Sequence, residues 1–294
     1  MSLEKLAYKL KKFESFTAKI YSTSIGLLRV LLISKKRNEF PVPTEDTCIV
    51  LGNGPSLKDS IEENEAIVKS KILFCVNHFS KSTYYSVYQP ENYILLDPAF
   101  FKQKQNPLVI ETFKAIKEAT WKMNLFVPYI YKKDIDILDI KKKYTNINVV
   151  TYNYSILSGF EWINFFFYKR KLAMPQFYNV LGAAIFLSLN MGFKKIWVVG
   201  AEHSWFTEVE VDSDNNIFLR DKHFYDKGNS GERVFLKDPH HKGKVQMGVY
   251  FQYLSLSFMP YYVLEKYSKY LNASIYNASE TSYIDAFERK KMKL

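Results

Sequence analysis

This chain of 294 residues has only two cysteines and eleven glycines, and several common site signatures are missing from it. Cys48 and Cys75 both fall inside predicted strands, so they read as small core residues. A disulfide framework is excluded, and a reducing cytoplasm fits. The first 20 residues lack the apolar core and cleavage site of a signal peptide. No Gly-Lys-Ser/Thr follows a glycine turn and no GxGxxG run is present, so neither a P-loop nor the dinucleotide fingerprint is found. Without a GxSxG elbow or a cysteine-centred nucleophile motif, hydrolase chemistry has no foothold. No HExxH or paired-cysteine spacing offers a zinc site. No DxD pair offers the hard-oxygen site that a metal-dependent transferase uses, so no metal site is expected. Nucleic-acid modules are absent too, and nucleic acid is not an expected partner.

Positive charge and aromatic rings are abundant instead. The formal net charge is +11, which calls for an acidic partner, and aromatics make up 17% of the chain. Nine of the basic residues lie within residues 1–40, and Arg289-Lys290-Lys291-Met292-Lys293 adds a second cluster. Leu3, Leu6, Leu10, Phe13 and Phe16 recur at helical spacing with lysines opposite, which predicts a helix over 3–33. It ends in the apolar run Ile25–Ile33, followed by Lys35-Lys36-Arg37. Such a basic amphipathic helix fits an anionic membrane surface through residues 1–37. Docking on its own domain, or on a second copy in a homo-oligomer, is the alternative. Pro41-Val42-Pro43 marks a linker. Residues 1–43 are therefore expected as an N-terminal appendage and 44–294 as one catalytic domain. Two uncharged stretches, Leu172–Phe193 and Val245–Leu264, contain Pro, Asn and Gln and read as buried helices, not membrane spans.

From Thr47 onward β-rich runs alternate with helical patterns, which predicts an α/β fold with a mostly parallel sheet. Strands are expected at 47–51, 71–77, 92–97, 124–127, 147–152, 194–200 and 273–276. Helices are expected at about 56–69, 109–119, 132–144, 182–191 and 246–271. Residues 204–243 are polar and aperiodic and read as a long lid loop, about 203–244 with its flanks. In Cys48-Ile49-Val50-Leu51-Gly52-Asn53-Gly54-Pro55-Ser56-Leu57-Lys58 a strand feeds a glycine turn and then a helix N-terminus. That arrangement predicts a phosphate over Gly52–Leu57. Polar residues gather where strands end: Asn53, Asn77, Asp97, Glu202, His203 and Asn277. In a parallel sheet those ends share one edge, so the residues should converge on one crevice. Strand ends also need turn residues, and Asn and Asp supply those. Of five histidines, His203, His223, His240 and His241 lie in or beside the 204–243 segment. Each is a candidate general base toward an acceptor hydroxyl.

Leu51-Gly52-Asn53-Gly54-Pro55-Ser56-Leu57-Lys58 resembles the opening of the bacterial CMP-sialic-acid-dependent sialyltransferases of glycosyltransferase family 42. It also resembles the related motility-accessory-factor and hydroxymethylpterin-diphosphokinase-like group. Phe74-Cys75-Val76-Asn77 is similar to the family's second strand. The third strand ends in Asp97-Pro98 where the family has Asn-Pro. Gly182–Gly192 followed by Lys194–Gly200 resembles the family's small-residue helix and next strand, whose Gly-Ile-Asp ending here is Gly200-Ala201-Glu202. Asn277-Ala278-Ser279 resembles the closing nucleotide contact. The family's Arg-Ile-Thr-Ser-Gly is replaced by Asn179-Val180-Leu181-Gly182.

The resemblance implies a Rossmann-like sheet and a nucleotide site made by Gly52, Asn53, Gly54, Pro55, Ser56, Leu57, Asn77, Asp97, Gly182, Gly200, Glu202, Asn277 and Ser279. By chain order it implies His240 or His241 as the base and Tyr225 on the donor phosphate, with His203 and His223 as further candidates. The expected activity is metal-independent transfer of a CMP-activated acidic sugar (sialic acid, a related nonulosonate or Kdo) with no cofactor besides this donor. The acceptor would be a glycan or glycolipid of a bacterial surface polymer, lipopolysaccharide or capsule, at the inner face of the membrane. The alternatives are a pterin diphosphokinase-like enzyme using ATP and Mg²⁺ on Asp97 and Glu202, and a non-catalytic scaffold of a glycan-assembly complex.

Overall fold

The computed structural model describes residues 3–35, 39–221, 232–236 and 243–292. In chain order, α1 (Leu3–Ile33) leads to β1 (Thr47–Leu51), α2 (Leu57–Glu63), α3 (Glu65–Lys69) and β2 (Ile72–Val76). Then come α4 (Tyr84–Tyr88), β3 (Asn92–Ile94), α5 (Ala99–Lys102), α6 (Pro107–Glu118), β4 (Met123–Pro128), α7 (Ile135–Lys143) and β5 (Ile147–Tyr152). The second half runs α8 (Glu161–Lys169), α9 (Val180–Met191), β6 (Lys195–Val199), β7 (Val209–Val211), β8 (Ile217–Asp221) and β9 (Glu232–Phe235). It closes with α10 (Met247–Tyr270), β10 (Ser274–Asn277) and β11 (Glu288–Arg289).

Eight strands form one parallel sheet in the order β11-β10-β6-β1-β2-β3-β4-β5. The chain steps outward from β1 to β5 and returns through α8 and α9 to the other side of β1. Strand order reverses between β1 and β6, and such a reversal leaves a crevice beyond the strand C-termini. The central strands are continuous apolar runs because helices cover both faces. Cys48 and Val50 of β1 face the layer of α8, α9 and α10, while Ile49 and Leu51 face α2, α6 and α7. Both cysteines are free and buried.

Helix α9 explains the first uncharged stretch. Ten of its twelve residues are buried, between the sheet and the aromatic side chains Phe165, Tyr168 and Tyr267 of α8 and α10. A charge anywhere on it would be desolvated without a partner. The second stretch is less enclosed than expected. Helix α10 buries Tyr250, Leu254, Tyr261 and Leu264 but exposes Phe251, Leu256, Met259 and Tyr262.

Other expectations need correction. The helix predicted over 56–69 breaks at Asn64, whose ψ of 27° leaves the helical region. β3 stops at Ile94, three residues before Asp97. No element was expected where α8 stands, yet its aromatic side packs on α10. The largest departure is the 204–243 segment: β7, β8 and β9 form a second, antiparallel sheet there. Ile217 of β8 and Val209 of β7 join Val245, Tyr250 and Leu254 in a small apolar cluster of their own.

The second half of α1 carries its buried residues, and Phe16 adds an edge contact with Phe160, ring centroids 5.7 Å apart. Thr23, Gly26 and Val30 are buried. The Thr23 hydroxyl donates to the Ser158 carbonyl (3.3 Å) and accepts the Phe160 N–H (3.0 Å). Gly26 lies so close to Leu157 that a Cβ would sit 2.4 Å from its side chain. Every described side chain from Glu4 to Tyr21 is exposed. Ala7–Ile33 is long and apolar enough to cross a membrane by length and composition.

Candidate functional site

A cleft of about 330 Å³ opens over the C-terminal ends of β1, β2 and β6. Its floor is the Gly52–Ser56 turn, and this turn is fastened to neighbouring strand ends. The Gly52 N–H donates to the Val199 carbonyl (2.8 Å) and the Gly54 N–H to that of Gly200 (2.9 Å). The Leu57 N–H donates to the Gly54 carbonyl (3.1 Å). The Ser56 N–H donates to Glu202 Oε1 (3.0 Å), and the Ser56 hydroxyl donates to the same oxygen. These four amides, expected to face a phosphate, are thus paired inside the chain, one of them by the chain's own carboxylate. The glycines serve a different purpose from the expected one. A Cβ on Gly52 would lie 2.2 Å from the Gly200 carbonyl oxygen, and one on Gly54 would collide with Glu202. They let two strand ends touch, with Gly200 itself left-handed at φ +63°.

Three side-chain oxygens of cleft-lining residues are enclosed and have no hydrogen-bond partner among the described residues: Asn53 Oδ1, Asn77 Oδ1 and Glu202 Oε2. The Asn53 orientation is fixed, because its Nδ2 donates to the Val76 carbonyl (3.2 Å). Asn77 is left-handed, φ +46°, and its carbonyl accepts from the Tyr93 hydroxyl. A buried polar atom left unpaired costs about 1–3 kcal/mol. The three oxygens are closed off from the cleft, so a ligand donor reaches them only if the floor shifts.

His203 follows Glu202, left-handed at φ +55° and buried at the back of the cleft. Its Nε2 lies 2.6 Å from the Tyr261 hydroxyl, and its ring rests on Trp205 with centroids 4.3 Å apart. Burial pushes its pKa down to about 3.

The wall comes from segments without a recognisable motif. Tyr178, Asn179, Val180 and Leu181 approach from the start of α9, Trp205 and Glu208 from the turn after β6, and Arg220 from β8. Arg220 is paired with Glu210 (2.5 Å). An adjoining chamber of about 230 Å³ shares Asn77, Tyr178, Asn179 and Val180 and adds Asp97, Tyr131, Tyr154 and Phe177. Asp97 is exposed there, and its Oδ1 accepts the Ala99 N–H (2.8 Å).

The structure thus brings Gly52, Asn53, Gly54, Pro55, Asn77, Gly200, Glu202 and His203 together on the cleft, with Ser56 and Leu57 just behind. Of the other expected residues, Asp97 lines only the adjoining chamber, and Gly182, Asn277 and Ser279 line neither. The Gly182 N–H donates to Asn179 Oδ1 in the cap of α9. Asn277 is buried, with its Nδ2 on Ser282 and Ile284. The Ser279 hydroxyl accepts the Ala201 N–H (3.0 Å) and so braces the β6 turn from behind. His223, Tyr225, His240 and His241 lie outside the described residues. Tyr178, Asn179, Trp205, Glu208 and Arg220 were not expected. Only Asn179 carried a usable signal, as an Asn directly before a helical run. Among the described residues no cluster of three His, Cys, Asp or Glu side chains could hold a metal ion.

No protein-family model matches the chain, and no curated protein matches it in sequence. Among solved structures it is similar to the MAf glycosyltransferase from Magnetospirillum magneticum AMB-1. The identity is 12% and the TM-score 0.49; the match covers 94% of this chain and 38% of that longer one.

Proposed function

We propose that this chain is a glycosyltransferase that binds a nucleotide-activated sugar in the cleft between the ends of β1 and β6. The supporting observation is the polar lining of a cleft set where the strand order reverses, with Asn53, Asn77, Glu202, His203 and Arg220 around it. Ribose and sugar hydroxyls and the amino group of a base can hydrogen-bond such side chains; an acyl chain cannot. Trp205 and Tyr178 offer ring faces for a sugar or base. The adjoining chamber has room for the second substrate.

The donor we favour is a CMP-activated acidic sugar, on the resemblance carried by Leu51–Lys58. With four of the turn amides already paired, Arg220 is the described cation of the cleft suited to its phosphate. A base removes the proton of the acceptor hydroxyl, whose oxygen then bonds to the anomeric carbon. The bond from that carbon to the phosphate oxygen breaks, and CMP leaves with the electron pair. His223, His240 and His241 are the candidates for the base, with Tyr225 on the phosphate.

Helix α1 would bring the enzyme to a glycolipid acceptor. Leu10, Phe13, Ile20, Leu28 and Leu31 are exposed on the face turned away from the buried Thr23, Gly26 and Val30. Lys5, Lys12 and Lys19 fall on the side that carries Thr23, Gly26 and Val30, with Lys9 at its border. An apolar stripe opposite a cationic face suits an anionic membrane surface.

Thermal-shift measurements with CMP, CDP, UDP and ATP test the reading, because a ligand raises the melting temperature only by binding the fold. CMP should stabilise, and a CMP-sugar should be hydrolysed or transferred without added metal. Stabilisation by ATP, with turnover abolished by EDTA, would identify a pterin diphosphokinase-like enzyme instead. No response to any nucleotide would identify a scaffold.

A further inference from the structure

The hydrogen bonds behind the cleft fix which nitrogen of His203 carries the proton. Asn179 Oδ1 accepts the Gly182 N–H (3.1 Å), and Asn179 Nδ2 donates to the Ser257 carbonyl (3.3 Å). The side chain is thereby oriented with its oxygen toward the Tyr261 hydroxyl, 2.9 Å away. A carbonyl oxygen has no proton to give, so Tyr261 donates its single proton to Asn179. The tyrosine oxygen can then only accept from His203, and Nε2 carries the ring hydrogen. Nδ1 keeps the lone pair. It bonds to no described residue, and His203 lines the cleft.

We propose that His203 is a fixed neutral acceptor for a donor group of the bound ligand, presenting Nδ1 to the cleft, with Tyr261 and Asn179 as positioning residues that set its tautomer. This rests on the reading of the cleft as a sugar-nucleotide site and narrows its ligand. The occupant donates a hydrogen bond to Nδ1. A hydroxyl-rich sugar or ribose meets that demand with one rigid ring. His203 is thereby removed from the list of bases. An effective base has a pKa near the working pH, and burial holds this ring far below it. The ionisable described groups around it are Glu202 beside it, Glu208 and Arg220 on the same cleft, and Tyr261 from α10.

Nitrogen-15 labelling of the histidines in the full chain tests this directly, with the His203 signals assigned by their loss in His203→Gln. The expected spectrum near neutral pH shows the Nε2-protonated tautomer, unchanged down to about pH 5 where an ordinary histidine is charged. CMP or CMP-sialic acid, used as probes, should move the Nδ1 resonance. In Tyr261→Phe the tautomers should mix and probe affinity should fall about tenfold, the scale of one lost hydrogen bond. A ring protonated on Nδ1, or cationic near neutral pH, overturns the proposal. So does a probe that shifts other signals and leaves Nδ1 unmoved. The expected tautomer with no resonance moved by either probe would overturn the nucleotide-sugar reading while supporting the assignment of the proton.

Discussion

The floor and the wall of the cleft hold their polar groups in different ways. On the floor, backbone amides of Gly52 and Gly54 are bonded to Val199 and Gly200, and Asn53 ties the same turn to the end of β2. Three strand ends are locked together, and the acceptors they carry have little freedom to turn toward other partners. On the wall, Trp205, Glu208 and Arg220 rest on a turn and a small antiparallel sheet with its own minor core. The floor is fit to set the identity of a ligand, since a fixed acceptor rejects what cannot donate. The wall is fit to enclose it. Changes to the floor should therefore cost stability and recognition together, and changes to the wall should cost recognition alone.

Gly52→Ala should break the floor most severely, because the new Cβ meets the backbone carbonyl of Gly200 and not a movable side chain. We expect a loss of about 3 kcal/mol, read as a lower midpoint of denaturant unfolding. Glu202→Ala leaves two Ser56 donors without their carboxylate and should cost about 2 kcal/mol by the same assay. Glu202→Gln sharpens the contrast: an oxygen can still accept from Ser56, while an amide N–H₂ replaces Oε2. Its stability should fall by about 1 kcal/mol, because two charge-assisted bonds from Ser56 become neutral ones, with nucleotide affinity about tenfold weaker by calorimetry.

Acid should also expose the floor. The His203 ring stays neutral in the fold down to about pH 3, whereas the unfolded ring takes up a proton near its ordinary value of 6.5. The unfolded state then binds more protons, so this group's effect on stability falls as pH drops from 6.5 toward 3. The slope reaches about 1.4 kcal/mol per pH unit, and His203→Gln should remove it from the pH dependence of unfolding. On the wall, Trp205→Ala should weaken nucleotide binding about fivefold to tenfold with a melting temperature close to the parent's. A large fall in melting temperature would abolish the distinction between the two sides.

The difference between floor and wall is also a difference in legibility. Residues 48–51, 72–76 and 196–199 announce themselves because burial on both faces demands unbroken apolar runs. Their last residues then mark the sheet edge, which is how Asn53, Asn77, Glu202 and His203 can be found. The same rule selects Asn277 and Ser279, whose polar groups are used up in bracing nearby turns. Position at a strand end does not say which way a side chain is satisfied. The wall is hidden for another reason. β7, β8 and β9 are three to five residues long. Charges such as Glu210 and Arg220 are interspersed among their few apolar positions, so neither a helical nor a clear strand period emerges. Arg220 reaches the cleft only through antiparallel pairing, which no local pattern encodes.

The left-handed backbone at Asn77 and His203 has a consequence for how this cleft can vary. Branched and bulky side chains are strained in that conformation, whereas Asn, Asp, His and Gly tolerate it. Two of the cleft's acceptor positions are therefore confined to a small alphabet, whatever the ligand demands. Diversification among descendants of this chain would be steered to the wall, and an Asn, Asp, His or Gly at both positions becomes a signature by which distant relatives could be recognised where overall identity has faded.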